Sequence, residues 1–191
     1  RSVPRRIGVL GSLCNPPHLG HAALARAAAG QLGLERVLLV PTGVPAHRPA
    51  PDVPAAVRLE LAQAAAEGEP VLEVSAVEVD RPGPSFMADT LELLHAADPD
   101  AQLVLLLGAD QHAALGSWHD PERIRRLAAV AVAPRADVAP AAGEGEVLIA
   151  MPAVDVSSTA VRERAAAGLP LDGLVAPAVA RLIAERGLYR G

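Results

Sequence analysis

Residues 11–21 read GSLCNPPHLGH and set two imidazoles, His18 and His21, three positions apart. An apolar run ending at Leu10 precedes this stretch, and strong helix formers follow from Ala22. Strand, glycine-proline turn and helix start, in that order, make an anion site. Unpaired N–H groups and the positive end of the helix dipole favour phosphate there. His18 and His21 share one side of a helical turn at this spacing and would contact the phosphate, while Gly20 would let a ligand approach the backbone. The pattern is neither the lysine-bearing P-loop nor the GxGxxG dinucleotide fingerprint. Two other readings stand beside it. The pair could be caps or surface residues. Zinc is a poorer fit, because no second cysteine or nearby carboxylate completes a ligand set. A second cluster, Ser157-Ser158-Thr159 followed by Arg162, is by itself N-cap material with a surface arginine.

The elements that must position these groups alternate. Strands are expected at Ile7–Leu10, Arg36–Val40, Val71–Val79 (one or two pieces), Leu103–Leu107, Ala128–Ala133 and Val147–Met151. Helices are expected at Leu19–Leu32, Ala55–Glu67, Met87–Ala97, Ala109–Leu115, Pro121–Leu127, Thr159–Ala167 and Ala178–Arg186. Several strands, such as LVLLL and AAVAVA, are unbroken apolar runs, the mark of strands covered on both faces. An α/β fold with a doubly wound, mainly parallel sheet follows, in a single domain over residues 1–191 with a helical C-terminal part from about 157. Ligands of such sheets bind beyond the C-terminal strand ends. Five punctuated loops meet on that rim: GSLCNPPHLGH, PTGVPAHRP, DRPGPSF, GADQHAALGSWHD and DVSST. The small-residue stretch Ala136–Glu146 reads as a mobile loop without a functional signal.

Composition bounds the partners. The chain has 191 residues, 51% of them hydrophobic, yet Phe86, Trp118 and Tyr189 are its only Phe, Trp and Tyr residues, so the core must be aliphatic. The 17 Lys and Arg residues are all arginine, read as a coding bias without functional weight. A net charge of −5 argues against a nucleic-acid binder. The single Cys14 suits a reducing compartment, and neither a membrane span nor a signal peptide is visible, so a cytoplasmic protein is expected. No oligomeric state is set, and a homo-oligomer is compatible with the sequence.

HLGH fits the HxGH signature of the nucleotidyltransferase superfamily, and the stretch around it resembles that superfamily's GGTFDPxHxGH opening. Ser12 stands where that pattern has glycine, Leu13 where it has threonine, Cys14 for phenylalanine and Asn15 for aspartate. SSTAVR resembles the second phosphate element, ISSTxIR. GADQHAALGSWHD, PTGVPAHRP (Arg48 for lysine), DRPGPSFMADTL (Phe86 for tyrosine, Met87 for threonine) and the closing VAPAVARLIAERGLY resemble segments of bacterial nicotinate-nucleotide adenylyltransferases, in the family's order.

The resemblance implies a Rossmann-like nucleotidyltransferase that joins ATP and nicotinate mononucleotide, releasing pyrophosphate, in NAD biosynthesis. It implies a catalytic set of His18, His21 and Arg162. It places Gly11, Ser12, Leu13, Gly20, Gly108 and Asp110 at the nucleotide, with Asp110 on ribose hydroxyls, and Ser157, Ser158, Thr159 and Arg162 at the departing pyrophosphate. His47 and Arg48 would meet the substrate phosphate. Ser85, Phe86 and Met87 would turn backbone N–H groups to the nicotinate carboxylate, and Trp118 and His119 would line the pyridine slot. No protein metal site is implied, and Mg²⁺ would ride on the ATP phosphates. Pantetheine-phosphate adenylyltransferases and cytidylyltransferases share HxGH, nicotinamide mononucleotide is a rival substrate, and a non-catalytic nucleotide sensor is the rival of another class.

Overall fold

The structure, a computed structural model, describes residues 4–135 and 138–190. Six parallel strands form the main sheet: β1 (Arg6–Ser12), β2 (Arg36–Pro41), β4 (Leu72–Val74), β6 (Gln102–Gly108), β7 (Ala128–Ala133) and β8 (Val147–Leu148). Their order is β4-β2-β1-β6-β7-β8. The chain leaves β1 toward one edge and returns through β6 toward the other. A crevice therefore opens beyond Ser12 and Gly108, where the winding reverses.

The unbroken apolar runs are explained by this geometry. Side chains alternate across a strand, so Ile7, Val9, Leu103, Leu105 and Leu107 enter one core while Leu10, Val37, Leu39, Val104 and Leu106 enter another. Helix α3 (Met87–Ala97) and α5 (Pro121–Leu127) cover the first through Leu91 and Ile124. Helix α1 (Leu19–Leu32) and α2 (Ala55–Ala66) cover the second through Leu24, Ala25, Ala28 and Ala62. A third core joins Leu61 and Ala64 of α2 to Val161 of α6 (Ser158–Ala166) and to Val179 and Ile183 of α7 (Pro177–Arg186). Among the described residues no helix is long and apolar enough to cross a membrane.

Two expected strands are shortened. Of Val71–Val79 only Leu72–Val74 is strand. Asp80 N–H closes a turn on Ala76 O (2.8 Å), and that turn carries the buried Glu78 carboxylate to the Thr90 hydroxyl (2.7 Å). Of Val147–Met151 only Val147–Leu148 is strand. Gln31 of α1 donates to Ala150 O (2.7 Å) and accepts from Ala150 N–H (2.8 Å), so a side-chain amide takes over what a neighbouring strand would supply. A two-strand ladder, β3 (Val44–Pro45) with β5 (Pro84–Ser85), arises where loops were expected. The helix expected over Ala109–Leu115 is α4 (Ala109–Ala114), followed by a 3₁₀ turn, Leu115–Ser117.

Positions 136 and 137 of the expected Ala136–Glu146 loop lie outside the described residues. The far end of that loop is anchored: Glu146 accepts from Gly143 N–H (2.7 Å) and pairs with His112 Nε2 (2.6 Å).

Candidate active site

A cavity of about 910 Å³ lies at the C-terminal edge of the sheet, and all five punctuated loops contribute to its wall. Every residue expected at a site lines it, from Gly11, Leu13 and Gly108 on the sheet side to Arg48 and His119 at the rim.

At the mouth of α1 the two imidazoles have different tasks. His18 is the N-cap, and its Nδ1 accepts the Gly20 N–H at 3.1 Å. His21 Nδ1 accepts the His18 N–H at 3.1 Å, and its Nε2 lies 3.0 Å from Ser12 Oγ. His21 Nδ1 also lies 3.3 Å from the His18 carbonyl; with the shorter N–H contact taken as the bond, the single proton of each neutral imidazole sits on Nε2. The ring centroids are 4.1 Å apart. Burial, then the proximity of His21, then the Arg135 charge push His18 down to about 3. Burial is also the main cause for His21, pushed down to about 4 against the raising contact of its Nδ1 with the His18 carbonyl oxygen, with Arg135 adding to the lowering. Both rings are therefore neutral donors at pH 7. Gly20 lines the cavity beside them. A Cβ there would stand 2.8 Å from His18 Cε1 and Nδ1, so the missing side chain also makes room for the His18 ring.

The second cluster also divides its work. Ser157 caps α6 by accepting the Ala160 N–H (3.1 Å). The Ser158 hydroxyl donates to Pro16 O (2.8 Å), and Arg162 donates to Asn15 O (2.8 Å) and to Thr159 Oγ1 (3.2 Å). Ser158 and Arg162 thus clamp the first loop as well as lining the cavity. A guanidinium has five N–H donors, so Arg162 keeps others for a phosphate.

At the opposite end, Phe86 stacks on His119 (centroids 4.4 Å) with His47 6.0 Å away. Trp118 is half-buried, packs on the first core and shows part of its surface to the cavity. Ser85 Oγ accepts the Gly43 N–H (3.2 Å). Met87 replaces a polar residue of the motif with a thioether that reaches back to β1: a Cβ on Gly11 would meet Met87 Cε at 2.7 Å. Asp110 is exposed at the start of α4, with Arg135 Nε 3.9 Å from its Oδ1.

Three residues of the site carry no motif in the sequence. Arg135 lies just beyond the end of β7 and lines the cavity, and its place after a parallel strand is the one signal for it. Glu78 also lines the cavity, and burial raises its carboxyl above the ordinary range. Arg58, behind the wall, is 2% exposed and holds backbone carbonyls from three segments: Leu13 O (2.8 Å), Thr42 O (2.5 Å), Gly43 O (2.8 Å) and Val53 O (3.2 Å). Nothing in the α2 sequence separates it from a solvated arginine, because its acceptors arrive only on folding.

Residues 10–164 match a family model described as cytidylyltransferase-like. The chain is 40% identical over 195 residues to the "Probable nicotinate-nucleotide adenylyltransferase" of Albidiferax ferrireducens, spanning 97% of this chain and 98% of that one. It is 41% identical over 193 residues to the protein of the same name from Saccharopolyspora erythraea, with 98% and 91% covered. Its fold is similar to that of Plasmodium falciparum nicotinic acid mononucleotide adenylyltransferase complexed with NaAD, at a TM-score of 0.79, 15% identity and 97% of each chain.

Proposed function

Because the chain belongs to the cytidylyltransferase-like family and, within it, to the nicotinate-nucleotide adenylyltransferases, we infer that it joins nicotinate mononucleotide and ATP into nicotinate adenine dinucleotide and pyrophosphate, in NAD biosynthesis. The observation that carries the site assignment is that two helix N-termini, those of α1 and α6, border one cavity together with His18, Arg135 and Arg162.

A phosphate oxygen of the mononucleotide attacks the α-phosphorus of ATP, and the bond to the β,γ-pyrophosphate breaks. A phosphate monoester is largely ionised at pH 7, its second pKa being about 6, so no general base is required. Alignment and charge stabilisation remain, as in phosphoryl transfer generally. His18 Nε2–H donates to an ATP phosphate oxygen as charge builds there. Because both imidazoles are neutral, the positive charge comes from Arg135, Arg162 and the two helix dipoles. Ser157, Thr159 and Arg162 hold the leaving pyrophosphate, and Ser158 acts by fixing Pro16. Gly108 and Asp110 receive the adenosine, His47 and Arg48 the mononucleotide phosphate, and Ser85, Phe86, Met87, Trp118 and His119 the nicotinate end. Among the described residues no three His, Cys, Asp or Glu side chains cluster to hold a metal ion. Mg²⁺ would enter on the nucleotide, where it would neutralise phosphate charge.

Incubation with ATP and each pyridine mononucleotide, followed by mass identification of products, tests this reading. The expected result is nicotinate adenine dinucleotide with one pyrophosphate per turnover. ATP binding without pyrophosphate release from either mixture would sink it in favour of a nucleotide sensor.

A further inference from the structure

Ser12 occupies the last position of β1, on the cavity wall, where the resembling motif has glycine. Its Oγ receives two N–H groups. One comes from Cys14 (3.1 Å), whose backbone sits at a φ of +52, a conformation that L side chains rarely adopt. The other is His21 Nε2–H (3.0 Å), the donor in the tautomer whose Nδ1 accepts the His18 N–H (3.1 Å), the shorter of that nitrogen's two contacts with the His18 backbone, the carbonyl lying at 3.3 Å. Both acceptor positions of the hydroxyl are thereby filled, and its own proton is the one group left to give. In that tautomer it has no protein acceptor among the described residues.

From this geometry we propose that Ser12 is a catalytic donor to the phosphate seated at the mouth of α1, and that His21 is a positioning residue acting through it. The chain of donors runs His21 Nε2–H to Ser12 Oγ, then Ser12 Oγ–H to a non-bridging phosphate oxygen. No proton changes owner. Two donors feeding one oxygen polarise its O–H, since hydrogen bonds in a chain strengthen one another. The imidazoles thus divide the work: His18 reaches the phosphate directly, and His21 reaches it through a hydroxyl that a glycine at position 12 would not provide. This rests on the adenylyl-transfer reading for the identity of the reacting phosphate.

The test is a mutant cycle of Ser12→Ala, His21→Ala and the double variant, with Ser12→Thr as the variant that keeps the hydroxyl. Thermal unfolding of each reads out the turn at Cys14 separately from turnover. Each single variant is expected to lose roughly 10- to 100-fold in kcat, the range for a hydrogen bond to a charged group, with a smaller change in KM for ATP. The double variant is expected to be no slower than the worse single one, because a chain cut at either link is cut, and Ser12→Thr should recover most of the loss. An unaltered kcat in Ser12→Ala, or losses that multiply in the double variant, would overturn the relay. A binding readout covers the case of a different acceptor. In ¹⁵N-imidazole spectra, ATP alone should move the His21 Nε2 signal in wild type and not in Ser12→Ala. The same movement in both would also overturn the proposal, whereas wild type forming no dinucleotide at all would overturn only the functional reading.

Discussion

The N-termini of α1 and α6 reach the same cavity by different routes. Around α1 the bonds of the two imidazoles are local: His18 to Gly20, His21 to His18, and Ser12 to Cys14 and His21, all within ten residues of chain, while one backbone bond, Leu19 N–H to Leu174 O (2.9 Å), ties the helix start to the segment before α7. The turn follows directly from a central strand and inherits its rigidity. The α6 end is local only in its Ser157 cap and the Arg162–Thr159 contact. Its position depends on the third core against α2, and on bonds that span most of the sequence: Ser158 to Pro16, Arg162 to Asn15 and, from beyond α7, Tyr189 OH to Asn15 Oδ1 (2.9 Å). The same dipolar device is thus built once mainly by chain continuity, with its imidazole bonds local, and once mainly by packing. The first is stiff but carries titratable groups; the second is permanently charged but only as well placed as its supporting core.

That contrast can be broken most forcefully at His18. His18→Ala is expected to fold and to lose roughly 10²–10³-fold in kcat, the usual cost of one stabilising donor, as read by steady-state pyrophosphate release. A turnover near wild type would remove the direct donor from the α1 mouth. Arg162→Ala should cost less in rate, roughly 10- to 100-fold in kcat/KM for ATP, because Ser157 and the α6 dipole remain. It should also loosen the first loop, since Asn15 O loses its partner. Faster hydrogen exchange over residues 13–18 would show this, and unchanged exchange would contradict the clamp.

The smallest expected effect concerns pH. His18 and His21 sit at about 3 and about 4 in the fold, below the ordinary 6.5, so between those limits the unfolded chain binds more protons than the native one. Stability should be indifferent to these rings above pH 6.5 and fall as the pH drops toward 4. Urea unfolding across roughly pH 4.5–8 should show a shallower acid slope in His18→Ala than in wild type. Equal slopes would place the sensitivity outside His18.

Much of the candidate site was legible because its residues lie where turns punctuate apolar runs. HLGH, the SST cap, the Pro-rich loop and GSWHD all reach the cavity. Helices such as Leu19–Leu32 and Met87–Ala97 appear with their expected bounds, since caps and propensity act within a few residues. The misread parts share a cause. Ser75–Val79 has the alternation of a strand, but Glu78 is drawn inward to Thr90. Arg58 and Arg135 resemble surface cations until loops from elsewhere surround one and the cavity opens beside the other.

Periodicity, turn chemistry and capping are short-range properties, and through them the sequence alone determined the parallel sheet, the helix starts and the rim where ligands gather. Only the tertiary structure decided how each polar group on that rim is used: that His21 faces a serine, that Ser158 holds a proline carbonyl, and that both imidazoles are neutral. Burial sets charge and arises from segments far apart in the chain, as does the Ser158 partner, whereas the His21–Ser12 contact spans nine positions and needed only the turn to close.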